Sequence, residues 1–161
     1  MDRSKITSAS HVPFMRAALE EAARAADSGN TAVAAVLRHG ETIVACSGSR
    51  VETTGDPLDH AEAVVIREVA GRFGRDFLAQ CILYSTMEPC PMCAWAIHLA
   101  GIHTIVLGAR HAALGRRDLG TFTVESLMQL TGQSLSVISG VLEQECVAFR
   151  GTWSRRTGRL L

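Results

Sequence analysis

The chain has 161 residues, 47% hydrophobic and 20% charged, with 16 Lys plus Arg against 16 Asp plus Glu. That length suits one domain over residues 1–161 with a sizeable core, and no stretch is apolar enough to span a bilayer. Zero net charge gives no support to a basic, phosphate-neutralising face, and the polar Met1–Ser10 lacks the apolar run of a secretory signal, so a cytoplasmic protein is expected.

Pro13 suits the first turn of a helix, and Phe14, Ala17, Ala18, Leu19, Ala22 and Ala25 recur at helical spacing until Ser28-Gly29-Asn30 stops the pattern. Ala32–Leu37 and Thr42–Cys46 flank a His39-Gly40 turn as a hairpin. Ser47–Asp59 is polar and aperiodic, a loop. Ala61, Val64, Val65, Ile66 and Val69 define a second, strongly apolar helix ending near Gly71–Gly74. Strands at Cys81–Thr86 and Thr104–Leu107 enclose a helix that starts at Cys90-Pro91, which predicts a parallel βαβ unit with ligands at the strands' carboxyl ends. A polar loop at His111–Gly120, a short helix at Val124–Leu130, a strand at Leu135–Ile138 and a helix at Val141–Trp153 complete the chain. The order gives an α/β fold, a five-stranded sheet layered by helices, with 1–10 and 154–161 as candidate tails.

Chemistry concentrates in two places. His60, Cys90 and Cys93 offer three zinc ligands, one short of a closed structural site, which leaves a coordination position for water. Glu62 stands beside them as a proton carrier. His60 and Glu62 are two apart, about 200° around a helix, so they can share a site only at a helix's open first turn. Cys90 and Cys93 lie one turn apart on one face, with Pro91 at a first helical position. Two helix N-termini are therefore expected to converge on the metal and to favour thiolate. A structural zinc ribbon would need a second Cys pair, and a redox pair would need no His-x-Glu. Cys46, Cys81 and Cys146 read as small buried thiols, without disulfides. His11 and His39 read as surface residues, and His98 and His103 as packing or surface residues. Arg110, Arg116 and Arg117 in one loop, with Arg150, Arg155, Arg156 and Arg159 near the C-terminus, read as a solvated rim and tail.

His60-Ala61-Glu62 together with Pro89-Cys90-Pro91-Met92-Cys93 resembles the signature of the cytidine deaminase-like superfamily of zinc-dependent deaminases. The nearest similarity is to the branch of bacterial guanine deaminases, yeast-type cytosine deaminases and tRNA adenosine deaminases. It extends from Thr31 to Trp153 through Asp56-Pro57, Leu83–Thr86, Val106–Arg110 and Val141–Cys146. The resemblance implies a three-layer αβα fold with a five-stranded mixed sheet, and one Zn2+ per chain with a metal-bound water or hydroxide. It further implies Glu62 as catalytic acid and base, and a homodimer formed through helices behind the metal, where Trp95, Ile97, Leu99 and Ile102 supply either apolar surface or core. Ala61, Ser49, Thr86, Trp95, His111 and Asp118 are the candidate substrate-binding residues. Three positions depart from the family pattern: Ser49 replaces an asparagine, Thr31-Ala32-Val33-Ala34 replaces Pro-Phe-Gly-Ala, and Trp95 replaces a small residue. The expected substrate is guanine or a related aminated purine or triazine. Alternatives are adenosine in tRNA, suggested by Gly108-Ala109-Arg110, Glu143–Cys146 and the basic tail, and a cytosine-type base. A non-catalytic, zinc-bearing partner subunit is disfavoured by the intact Glu62.

Overall fold

The structure, a computed structural model, describes residues 8–159. Helix α1 (Ser8–Asp27) leads into the hairpin β1 (Ala34–His39) and β2 (Thr42–Gly48). After a four-residue helix α2 (Val51–Thr54) come α3 (Ala61–Phe73), the short α4 (Arg75–Leu78), β3 (Ile82–Met87), α5 (Pro91–Leu99) and β4 (Thr104–Ala109). The chain then forms α6 (Val124–Thr131), β5 (Ser136–Ile138) and α7 (Glu143–Thr157).

The sheet order is β2-β1-β3-β4-β5. β1 runs antiparallel to β2 and β3, whereas β3–β4 and β4–β5 are parallel. Parallel neighbours need crossovers, and α5 and α6 supply them, so the carboxyl ends of β3 and β4 emerge side by side. Side chains alternate across each strand. Leu83, Ile105 and Leu107 pack on one face with Val65 and Val69 of α3 and Ile97 of α5. Tyr84 and Val106 pack on the other with Phe14 and Met15 of α1 and Cys146 of α7. The result is the expected three-layer αβα arrangement around a mixed sheet. No helix among the described residues is long and apolar enough to cross a membrane.

Several details differ from the sequence expectation. Pro13 lies inside α1, not in its first turn, because the helix begins at Ser8; lacking an N–H, it forgoes one backbone bond in the second turn of the helix. The polar segment before His60 is not wholly loop, since α2 occupies four of its residues, too few to show a period. α7 runs past Trp153 to Thr157, so half of the proposed C-terminal tail is helical. Residues 1–7 and 160–161 of the two candidate tails lie outside the described residues.

His11, expected at the surface, is 1% exposed. It belongs to the stripe that also buries Met15, Ala18, Ala22 and Ala25, and its Nδ1 lies 2.8 Å from the Tyr84 hydroxyl. Burial, with the nearby positive charge of Arg38, lowers its pKa from the usual value. The folded protein therefore resists a proton that the unfolded chain accepts. This component of stability is complete above the unfolded histidine pKa of about 6.5 and is lost as pH falls from there through the lower folded value. Denaturant midpoints measured from pH 7.5 down to 5 should fall more steeply for the natural protein than for His11→Gln.

Gly108 shows how closely α7 rests on the sheet. A Cβ at this position would overlap the Cys146 sulfur and sit 2.9 Å from the Thr86 carbonyl oxygen. Gly108→Ala should cost about 1–3 kcal/mol, the usual penalty for overpacking, measured by urea denaturation.

Candidate metal and active site

His60 and Cys90 are the N-cap residues of α3 and α5, both with extended backbone (φ −66°, ψ 149° and φ −67°, ψ 169°). Pro91 at the first position of α5 fixes that entry, and the helix's first turn brings Cys93 round to the same side. The donor atoms of His60, Cys90 and Cys93 all lie within 4.8 Å of one another, with Nδ1 of His60 3.6 Å from Sγ of Cys90. A tetrahedral zinc with its usual bond lengths to nitrogen and sulfur needs about 3.6 Å between two such donors. The thiols are chemically prepared as well. A hydrogen bond from Cys93, followed by one from His60, lowers the pKa of the Cys90 thiol, while the same pairing and burial raise that of Cys93. A dication bound by both sulfurs would displace the proton that they otherwise compete for. This donor set fits zinc.

Glu62, one residue into α3, is 3% exposed and lines the same cavity as His60 and Cys90. Burial raises its pKa above the ordinary carboxylate range, opposed by hydrogen bonds from its own backbone amide and from Ser85. The Ser85 hydroxyl lies 2.9 Å from Glu62 Oε1 and 2.7 Å from the Met87 carbonyl, which holds that carboxyl oxygen in place. The cavity measures about 330 Å³.

The structure divides the other candidate residues. Ser49, Ala61 and Asp118 line the cavity. Thr86 does not; its Oγ1 accepts from the Ala34 amide at 3.1 Å and so ties β3 to β1. Trp95 is half-buried on α5, its ring 4.8 Å from that of His98, away from the cavity. Of its proposed interface neighbours, Ile97 and Ile102 are core, and Leu99 is 58% exposed. His111 is buried behind the site, its amide donating to Glu88 Oε2 at 3.0 Å and its ring held low in pKa by burial.

Two kinds of functional residue escaped the sequence analysis. Glu88, 1% exposed, accepts from the amides of His111 and Val124 and pairs with Arg110 at 3.2 Å, pinning the β4–α6 loop beside Cys90. Arg116 and Arg150, read as a solvated rim and tail, line the cavity instead. The signal for Arg150 was present: Cys146, Arg150 and Trp153 are spaced as one buried helical face.

Fold and donor set together define a class, the zinc-dependent deaminases, in which water replaces an exocyclic amine. The chain belongs to the family described as the cytidine and deoxycytidylate deaminase zinc-binding region, matched over residues 8–109. It is 46% identical over 102 residues to the chloroplastic tRNA(adenine(34)) deaminase of Arabidopsis thaliana, a match covering 63% of this chain and 8% of that much longer protein. The tRNA-specific adenosine deaminase of Bacillus subtilis is 36% identical over 83% of this chain and 81% of its own length. The guanine deaminase of the same organism is 34% identical over 63% and 65%. A solved structure from work on A-to-I editing by tRNA:A34 deaminases superposes with a TM-score of 0.73 at 33% identity, covering 85% of this chain and 98% of that one.

Replacing Cys90 or Cys93 with Ala should reduce bound zinc from about one per chain to a small fraction, whereas Cys146→Ala should retain it. Metal analysis after gel filtration checks this.

Proposed function

We propose that this protein hydrolytically deaminates adenosine in tRNA. The observation that carries the chemistry is the buried Glu62 carboxyl facing a cavity that also presents His60 and Cys90. His60, Cys90 and Cys93 would hold a zinc ion, which would supply the Lewis acidity that activates water for attack. Glu62 takes the proton from the attacking water, delivers it to the ring nitrogen next to the amine-bearing carbon, and then assists protonation of the leaving amine, which departs as ammonia. Burial raises its pKa, the direction that suits a group which must both take and return a proton. Ser85 keeps the carboxyl in one orientation.

Adenosine in tRNA is favoured over the free guanine-type base expected from sequence because the tRNA-specific relative matches over more of both chains. The cationic side chains on the cavity wall also suit a phosphate-bearing substrate better than an uncharged base.

Glu62→Gln should keep its zinc and lose turnover by about 10²–10⁴-fold. The assay is inosine formation in tRNA and ammonia release from free guanine, adenosine and cytosine, alongside metal content. A Glu62→Gln protein with natural activity would remove the proton-carrier assignment. Turnover of guanine with tRNA untouched would overturn the substrate.

A further inference from the structure

The cavity wall opposite in character to the thiolates contains two guanidinium groups from separate parts of the chain. Arg116 comes from the β4–α6 loop and Arg150 from the middle of α7. Neither is a solvated surface arginine. Arg150 is 5% exposed, and the Arg116 side chain is 14% exposed. Arg150 is held in one plane by the Trp153 ring, 4.4 Å from its guanidinium carbon. Arg116 is oriented by Asp118, which accepts from its Nε at 2.9 Å and from its Nη2. Asp118 is itself 54% exposed, so this pairing sits at the cavity mouth in reach of water.

Asp118 offsets part of the Arg116 charge and Glu52 acts on Arg150, yet both guanidinium groups line the same cavity, and concentrating them there carries an electrostatic cost. Burial first, and then the charge of Arg116, pulls the Arg150 pKa down to about 10. Arg116 lines the same cavity as His60 and Cys90, so its charge faces the space beside the metal donors. An anion entering the cavity would relieve this repulsion, and a guanidinium's planar fork matches a phosphate's oxygens with two parallel hydrogen bonds.

We infer that Arg116 and Arg150 together bind a phosphate carried by the substrate, next to the nucleoside whose base is presented to Glu62. The inference rests on the nucleoside deaminase function proposed above and adds the feature by which the pocket selects its substrate. The phosphate has two possible sources, a mononucleotide or the phosphodiester backbone flanking a nucleoside in tRNA. A cavity of about 330 Å³ lies within the range of small-molecule sites, about 300–1,000 Å³, and is open enough for either.

The zinc-loaded protein tests this in two ways. Inorganic phosphate, titrated at constant ionic strength, should raise the Tm of the natural protein, and the rise should shrink in both Arg150→Gln and Arg116→Gln. Steady-state kinetics on adenosine, adenosine 5′-monophosphate and a tRNA anticodon stem–loop should show KM for the phosphorylated substrate rising about 10-fold or more in either variant, with KM for adenosine changing far less. Arg117→Gln, an exposed neighbour outside the cavity, should behave as the natural protein. A preference for the monophosphate over adenosine identifies a mononucleotide, and a preference confined to the stem–loop identifies the backbone; both support the site. Equal KM changes for adenosine and its phosphorylated forms, or no phosphate-dependent Tm shift in the natural protein, would overturn it. If Arg150→Gln does not fold, the comparison of the natural protein with Arg116→Gln decides. Ammonia release from free guanine alone would refute the proposed substrate, while an arginine-dependent phosphate shift in that same protein would still establish the anion site.

Discussion

The structure depends on two helices whose N-termini meet at one point. α3 and α5 lie on the same face of the sheet, held there by Val65, Val69, Ala94 and Ile97 in a common core. Each opens with a metal donor at its N-cap, where the backbone is still extended and the first amides have no helical partner. This places positive helix ends against a cluster of two thiols and an imidazole, and within that cluster the hydrogen bonds from Cys93 and His60 favour thiolate at Cys90. The same constraint positions Glu62. Two residues beyond His60, its side chain would face away along a regular helix; at the open first turn it can reach the site.

Precision at this junction requires that the strands beneath it end in register. Glu88, immediately after β3, supplies the second fixing point. Its buried carboxylate gathers the amide of His111 at the end of β4, the amide of Val124 at the start of α6, and the guanidinium of Arg110. A buried carboxylate without such partners would cost several kcal/mol, so the loop from His111 to Thr123 has little freedom at either end. Between those ends it carries Arg116 and Asp118 to the cavity mouth. The metal-binding helix start and the cationic wall are thus mechanically linked through one side chain.

How far the sequence discloses this arrangement follows from the range of the interactions involved. His60, Glu62, Cys90 and Cys93 are legible because their spacing alone fixes their geometry at a helix start. The strands are legible because alternation in Leu83-Tyr84 and Ile105-Val106-Leu107 is a local property. His11 was hidden because a polar residue on a buried stripe depends on a hydroxyl, that of Tyr84, 73 positions away. Arg150 was hidden for the opposite reason: it occupies a core-facing helical position, but its composition suggests surface, and only the cavity reveals why a charge is tolerated there. Thr86, at the carboxyl end of its strand, bonds the neighbouring strand through the Ala34 amide, a contact that strand position alone does not disclose.

The departures from the family pattern can be viewed against this wall. Ser49 lines the cavity where related enzymes carry an asparagine, so a long amide able to donate and accept is replaced by a short hydroxyl. A pocket that gives up a polar contact to the base or ribose loses orientation unless another group restores it. Arg116 and Arg150 can do so from a different direction, because a charge-assisted, two-pronged contact to a phosphate fixes position more strongly than one neutral hydrogen bond. Zero net charge is compatible with this, since the balance of 16 basic and 16 acidic residues describes the whole surface, whereas a ligand inside a cavity responds to the few charges on its walls. Selection by local field rather than by overall charge would also account for the cost of placing two guanidinium groups in a cavity that His60, Cys90 and the Glu62 carboxyl line as well.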